Sequence, residues 1–500
     1  MLPMPPGRRP GAAYSQLGLE FSAFSFEAGG LIIPDMRRPK PLTVALVSLG
    51  CPKNLIDSEK MLAHLAEGGC IVGAPMDEAD VIVVNTCGFL SAARDESLSV
   101  IAEALKHKRR GRARRVVVAG CLVSRDAERL YDEAPGIDAI VGVNNRRDVL
   151  AAVTGAGRVT RVDACPLPAG RGSSGGRGSS GGRASSGGRG SSGVGDDSGR
   201  FRLTPRHTAY LRISEGCSQK CSFCTIPAIR GPFRSKRPRA VLSEARELIA
   251  DGTVELNIIG QDTTAYGADL PRKYNLACLL RQLDKLDGVE WIRLMYAYPK
   301  RFTAAMIDAM AECEHVVPYL DLPLQHINDR ILRRMGRGTS RRGIENLLAR
   351  LRRRVKGLVL RTTFIVGFPG ETDEEFEELL KFVKDFRFDA MGVFEFSPEE
   401  ETRAGAMTGQ VPDDVKAERA NALMLAQQEL AWAANRQMVG RQVTVLVDRT
   451  DAEGRCVGRY YGQAPDVDSV CYITRPCEVG KLVPVEVAGW DGYDLIVRPL

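Results

Sequence analysis

At 500 residues and 54.5 kDa the chain is too long for one hydrophobic core, and two to four domains are expected. Its 44% hydrophobic and 26% charged content exclude a chain disordered throughout. No apolar run reaches the roughly eighteen residues of a membrane span, so no membrane partner is expected. A net charge of +7 permits a nucleic-acid or ribosomal partner without requiring one, so RNA contact stays open.

Thirteen cysteines is an odd number, and no apolar core or cleavage site follows Arg8 and Arg9 to suggest export. A disulfide scaffold is therefore not expected. The better reading is a cytoplasmic protein that uses its thiolates for metal binding or catalysis.

Residues 1–40 are rich in Pro, Gly and Arg and read as a disordered extension, a functional tail being the sharper alternative. From 41 to 160 short β-branched runs at Val44–Val47, Val81–Val84 and Val116–Ala119 alternate with helical stretches such as Asp57–Ala66 and Arg94–Leu105. That pattern predicts a doubly wound parallel sheet, with Ile137–Val143 as its closing strand. Residues 161–204 form a flexible linker, in which Arg171, Arg177, Arg183 and Arg189 recur every six residues in a Gly/Ser matrix. An RNA-binding tract is the alternative there, although the repeat lacks aromatic residues to stack on bases.

A second α/β block spans 205–438. Strands are predicted at Ala209–Ile213, Val254–Ile259, Trp291–Tyr296, Val317–Leu320, Leu358–Val366 and Ala390–Phe396. Six strand–helix repeats make a partial (β/α)6 barrel, open where the eightfold barrel closes. Pro412–Met438 reads as one long helix. Short strands separated by glycines over 439–500 then predict a small all-β barrel of the OB-like size.

Cys217-x-x-x-Cys221-x-x-Cys224 follows the first strand of the second block, where a barrel gathers its active-site loops. A closed structural zinc site needs four ligands, and His207 and Cys278 are poorly spaced to complete one. Three cysteines suit a 4Fe–4S cluster with one open iron, which can chelate S-adenosylmethionine and reduce its sulfonium to a 5′-deoxyadenosyl radical. Structural zinc is the weaker alternative.

A second triad is dispersed. Cys51, Cys87 and Cys121 lie 36 and 34 residues apart, each two to four residues beyond a predicted parallel strand. Such strand ends meet at the ligand edge of a doubly wound sheet. Adjacent glycines would turn the chain tightly and expose the sulfurs. Three small buried hydrophobes are the alternative reading. The cysteines at 70, 165, 278, 313, 456, 471 and 477 read as packing residues.

The run from Ser214-Glu215-Gly216-Cys217 through Cys224-Thr225-Ile226-Pro227 to Arg230-Gly231 resembles the cluster loop of radical SAM enzymes, and more narrowly the methylthiotransferase family. The resemblance covers about residues 42–160 and 205–500. It implies an auxiliary 4Fe–4S cluster on Cys51, Cys87 and Cys121 beside the radical SAM cluster on Cys217, Cys221 and Cys224. It makes the C-terminal barrel TRAM-like, and it places Phe223 near the adenine of S-adenosylmethionine, packing being the alternative for that ring. Gly260 and Gln261 in Ile259–Thr264, and Gly367 in Phe364–Glu371, end two further strands and fit a nucleoside site, although each alone reads as an ordinary turn. His326, after the fourth strand, belongs to the same face or is a satisfied core histidine.

Ser48-Leu49-Gly50-Cys51-Pro52-Lys53-Asn54, followed by Asp57-Ser58-Glu59, is similar to the branch acting on a ribosomal protein. The branch acting on tRNA adenosine carries a different sequence after that cysteine. The resemblance thus implies β-methylthiolation of an aspartate of small-subunit protein S-twelve, with a reducing electron donor and a sulfur source. A tRNA methylthiotransferase is the nearer rival, and a non-catalytic RNA-binding protein the more distant one. Residues 440–500 carry seven Lys/Arg against nine Asp/Glu. An RNA-binding barrel should be basic, so this balance is expected to suit a basic protein partner.

Overall fold

Val81-Ile82-Val83-Val84 illustrates why the first sheet is buried on both faces. Val81 and Val83 enter one apolar cluster, with Met61, Leu65, Val149 and Val153. Ile82 and Val84 enter another, with Ile101, Leu105, Leu122 and Leu130. A strand hydrophobic at successive positions needs helices on both sides, and this one has them. The computed structural model describes residues 40–127, 129–163 and 195–500. They fall into two units, one of 40–163 with 199–203 and one of 195–198 with 204–500. The N-terminal extension and the Gly/Ser/Arg tract from 164 to 194 lie outside the described residues.

The first unit contains β1 (Thr43–Ser48), α1 (Pro52–Glu67), β2 (Ile71–Val72), β3 (Val81–Thr86), α2 (Ser91–Arg110), β4 (Arg115–Gly120), α3 (Cys121–Asp126), α4 (Arg129–Glu133), β5 (Ala139–Gly142), α5 (Val149–Thr154) and β6 (Val159–Arg161). The all-parallel strand order is β2-β1-β3-β4-β5-β6, which reverses direction between β1 and β3. The run at Ile137–Val143, expected to close the sheet, is therefore not its edge. β2 and β6 are only two and three residues long and show no alternation from which a strand could be read. Helix α1 also starts earlier than Asp57, because Pro52 at its first turn presets a helical φ directly after Cys51.

The second unit opens with β7 (Thr208–Arg212), the short pair β8 (Ser214–Glu215) and β9 (Arg234–Ser235), and α6 (Ile226–Arg230) between them. It continues with α7 (Pro238–Ala250), β10 (Glu255–Ile259), α8 (Leu276–Leu283), β11 (Trp291–Leu294), α9 (Ala304–Glu312), β12 (Val316–Asp321), α10 (Asp329–Arg334), α11 (Arg341–Arg354), β13 (Val359–Val366), α12 (Asp373–Phe386), β14 (Ala390–Glu395) and α13 (Asp413–Met438). The parallel order β14-β13-β12-β11-β10-β7 runs open-edged as an incomplete barrel, with Leu211, Ile258, Leu294, Leu320 and Phe364 facing the helices. The last strands are β15 (Gln442–Thr450), β16 (Cys456–Tyr460), β17 (Cys471–Ile473), β18 (Leu482–Asp491) and β19 (Asp494–Pro499). They close as β15-β16-β17-β19-β18 around Val445, Val447, Val485 and Val497. The expected doubly wound sheet, partial (β/α)6 barrel and small all-β barrel are thus all present.

The small barrel docks on the sheet of the same unit through charge. Glu255 is fully buried, with Arg293 Nη2 at 2.9 Å on one oxygen and Arg459 Nη2 at 2.8 Å on the other. Arg459 also binds Asp448 at 2.8 Å, and Asp448 meets His207 at 3.1 Å. Tyr210 donates to Asp466 at 3.0 Å, and Asp468 accepts from Tyr319 at 2.7 Å and Arg361 at 3.2 Å. These contacts correct the reading of the barrel's charge. Three of its nine acids and one of its seven bases, Arg459, are engaged at the core, leaving six of each elsewhere. Net composition therefore does not mark this barrel as a site for a basic partner.

Burial opposes ionisation of Glu255, but Arg459 and Arg293 override it and hold the carboxyl at about 2, below its ordinary 4.5. A depressed carboxylate contributes its stability above the unfolded pKa and loses it as pH falls through the folded one. The Glu255 contribution should therefore be complete above about pH 4.5 and fade toward pH 2. Glu255→Gln leaves the buried Arg293 without a counter-charge and Arg459 with Asp448 alone, and should cost about 3–5 kcal/mol at neutral pH. Denaturant unfolding at pH 7 and at pH 3 checks this, with a smaller gap between wild type and variant at the lower pH.

Residues 195–203, expected to belong to the linker, instead make buried contacts. Asp197 is fully buried between Arg212 at 2.7 Å and Lys236 at 2.7 Å, and Arg200 reaches Glu59 at 3.4 Å within the first unit. The sequence Gly195–Arg200 continues the Gly/Ser composition of the linker, so composition alone could not separate these anchors from it.

Candidate active site

In the first unit, register brings the dispersed cysteines together. Ser48, Asn85 and Ala119 lie side by side across β1, β3 and β4, so the loops carrying Cys51, Cys87 and Cys121 leave the sheet as neighbours. Their contact is close. A Cβ on Gly50, at φ +85°, would stand 2.8 Å from Cys87 Cβ and 3.1 Å from its sulfur. A Cβ on Gly88 would lie 2.7 Å from Leu122 Cα, beside Cys121. Glycine is required where these turns press together. Cys121 is buried, whereas Cys51 and Cys87 are half-buried.

Polar side chains beneath these loops hold them in place. Asn54 donates to the carbonyls of Leu49 at 2.7 Å, Thr86 at 3.2 Å and Asn85 at 3.3 Å, tying the first cysteine turn to the second. Asn85 donates to the Asn54 carbonyl and to Ser58, which donates to Ser48. Ser97 brackets Cys87, accepting from its N–H at 3.1 Å and donating to its carbonyl at 2.9 Å. The Asp57-Ser58-Glu59 run is structural as well, since Asp57 binds Arg146 at 2.5 Å and Glu59 accepts from the Leu203 N–H at 2.8 Å. Asn54→Leu strands buried carbonyls and should destabilise this unit by about 1–3 kcal/mol, read as a lower unfolding midpoint.

In the second unit Cys217, Cys221 and Cys224 occupy one loop after β7. The Arg337 guanidinium stacks 4.2 Å from the Tyr298 ring and lies 3.7 Å from Cys221 Sγ, while the Gln219 N–H points at Cys217 Sγ at 3.5 Å. Both donors favour thiolate at Cys217, and Arg337 also at Cys224. Burial pushes the Cys217 thiol up to about 11, against the Gln219 N–H, and pushes Cys224 up to about 12. Such thiols keep their protons unless a metal replaces them, as cluster ligation does. Among the described residues no three His, Cys, Asp or Glu side chains gather around a single ion. A four-iron cube takes each thiolate at a different corner, so three cysteines spread along one loop fit it without such a gathering.

The ligand side of this loop is polar and incompletely paired. Glu215 accepts from Arg212 at 2.7 Å, Gln261 at 2.6 Å and Arg230 at 3.3 Å. The other amide atom of Gln261, Oε1, is buried without a hydrogen-bond partner, as are Ser214 Oγ and Gln325 Oε1. Buried polar atoms are normally satisfied, and three orphans at the ends of parallel strands fit a polar ligand such as S-adenosylmethionine. Gly260 lies against Ser214, where a Cβ would stand 2.5 Å from the hydroxyl. Gly367 faces Lys416 of α13, whose stem a Cβ would strike at 2.3 Å. Phe223 packs with Ile331, Met335, Phe368 and Phe396. His326 is fully buried; its Nδ1 accepts from the Asn328 N–H at 3.0 Å, while its Nε2 has no hydrogen-bond partner and stands 3.5 Å from Glu371.

Sequence reasoning gave no role of their own to Asn54, which ends the run after Cys51, or to Gln325, which precedes His326, and it did not mention Ser97 or Arg337. Gln325 lies in a Pro-Leu-Gln-His run and sits at φ +74°. Of the cysteines read as packing, 456 and 471 are in the barrel core and 70, 278, 313 and 477 are half-buried, whereas Cys165 lies outside the described residues.

Family models match three segments. That of the radical SAM superfamily covers residues 211–383, that of uncharacterized protein family UPF0004 covers 43–142, and that of the TRAM domain covers 439–499. The chain is similar to the ribosomal protein uS12 methylthiotransferase RimO of Anaeromyxobacter sp. (strain K), with 44% identity over 91% of this chain and 92% of that one. It is also similar to the protein of the same name from Symbiobacterium thermophilum, with 42% identity over 91% of each. A solved radical S-adenosylmethionine methyltransferase, TsrM from Kitasatospora setae, superposes with a TM-score of 0.49 at 16% identity over 73% of this chain and 74% of that one.

Proposed function

The chain belongs to the ribosomal protein uS12 methylthiotransferase family, and on that premise we propose that it converts one aspartate of small-subunit protein uS12 to its β-methylthio form in the cytoplasm. The observation that carries the reading is the pair of three-cysteine sites, each at the C-terminal edge of its own parallel sheet. Cys217, Cys221 and Cys224 would hold the radical SAM cluster, and Cys51, Cys87 and Cys121 an auxiliary one. Bound in this way, a 4Fe–4S cluster with an open iron supplies the electron that cleaves S-adenosylmethionine to a 5′-deoxyadenosyl radical.

The target Cβ–H is unactivated, and no protein base removes its proton at neutral pH, so abstraction of a hydrogen atom is needed. The side chains around the loop serve binding and orientation. Arg337 and the Gln219 N–H favour thiolate at Cys217, and Arg337 does so at Cys224 as well. Glu215, held by Arg212 and Arg230, fixes the Gln261 amide so that its oxygen faces the ligand side, with Ser214 and Gln325 as further polar contacts. Gly260 and Phe223 would complete the nucleoside site, Gly367 supporting it from behind through Lys416. Residues 41–160 form the sulfur-donating domain, 205–438 the radical domain and 439–500 the TRAM barrel. A reducing electron donor and a source of sulfur complete the requirements.

The test is anaerobic reaction of the reconstituted protein with dithionite, S-adenosylmethionine and either uS12 or tRNA. A methylthio mass gain confined to one aspartate of uS12 is expected. The same gain on tRNA adenosine, with uS12 unchanged, would replace this reading by the tRNA alternative.

A further inference from the structure

An incomplete barrel has two edges, and here they differ. At one edge every residue of β7 is buried, and Tyr210 and the adjoining His207 are bound to Asp466 and Asp448 of the small barrel. At the other edge no residue of β14 is fully buried, and Phe394 is 46% exposed. β14 pairs with β13 alone. Phe396 N–H bonds to Val366 on that side, while Arg361, Thr363 and Ile365 of β13 pair with the opposite neighbour, so Met391, Val393 and Glu395 turn their backbone groups outward. Proteins blunt such edges with lysine, proline or a bulge. The sequence Ala-Met-Gly-Val-Phe-Glu has no lysine or proline, and its pairing with β13 runs without a register shift.

Charge at the mouth end of this edge is one-sided. Between 395 and 414 the chain carries six Asp/Glu and a single Arg, although the whole chain is net +7. Glu395 and Glu400 are exposed. The same segment touches the cluster loop, because Ala404 N–H donates to Ser222 at 2.9 Å, Arg403 donates to Lys220 at 2.6 Å, and Phe396 packs with Phe223. A chain laid along β14 is therefore led to Cys217–Cys224.

We propose that an extended, Lys/Arg-rich segment of the ribosomal protein substrate binds as an added strand on β14, its cationic side chains meeting Glu395 and Glu400 and an apolar side chain covering Phe394. This rests on the uS12 reading above, since a protein that binds ribosomal RNA carries the basic extended segments this edge would select. Backbone pairing supplies affinity, and the acidic end selects the basic chain.

Hydrogen exchange of the reconstituted wild-type protein, with and without isolated uS12, tests the edge directly. Exchange at the Met391, Val393 and Glu395 amides should slow by at least about tenfold when uS12 is saturating. In parallel, the double variant Glu395→Lys/Glu400→Lys should raise KM for uS12 by about tenfold or more, whereas a pair away from this edge, Glu290→Lys/Glu453→Lys, should change it by less than about twofold. Methylthiolation of uS12 with unaltered exchange at these amides would overturn the edge proposal alone, as would an equal KM rise in the remote pair. Failure of the wild type to modify uS12 would instead remove the functional reading, and this proposal with it.

Discussion

Alanine at Cys217, Cys221 and Cys224 together should abolish 5′-deoxyadenosine formation from S-adenosylmethionine and all methylthio transfer, while the fold survives. The loop stays anchored without its thiols, by Ser222 to the Met335 and Arg334 backbone and by the Cys217 N–H to Gly231. Two of the three thiols are buried groups whose desolvation is relieved only by metal ligation, so their removal need not cost stability. Anaerobic reconstitution with iron counting and chromatography of the nucleoside product measures this. Iron should fall from about eight to about four atoms per chain. Retained deoxyadenosine formation would show that these cysteines are not the radical SAM ligands.

The complementary variant, alanine at Cys51, Cys87 and Cys121, should lose the same amount of iron but keep deoxyadenosine formation. Its defect should lie wholly in transfer, with no methylthio group on uS12 above background. The two triads stand on separate sheets with separate supports, Asn54 and Ser97 for one and Arg337 and Gln219 for the other, so each can be emptied independently. Loss of all eight irons in this variant would argue for one shared site. Full retention of iron and of transfer would leave the N-terminal cysteines as packing residues.

Much of this arrangement was legible in the sequence because it depends on local periodicity. β-branched runs bounded by Gly located β1, β3 and β4, and once those strands are parallel and adjacent the three cysteines must emerge together. What was not legible depends on partners far apart in the chain. Asn54 reads as an ordinary polar residue in the first turn of a helix, yet two of its three acceptors come from a strand more than 30 residues later. Arg337 reads as one cation in an arginine-rich stretch, and only the placement of α10 sets it beside Cys221. The acidic balance of the C-terminal barrel misled for a related reason. Composition counts charges without saying which face inward, and Asp448, Asp466 and Asp468 are bound to the core.

That inward-facing set of acids limits how freely the C-terminal barrel could be exchanged by recombination between related enzymes. A segment swapped at Gly440 would bring its own residues opposite His207, Tyr210, Arg293, Tyr319 and Arg361. Unless these matched, the hybrid would hold uncompensated charge at the joint. A workable chimaera would therefore carry both sides of the joint from the same parent.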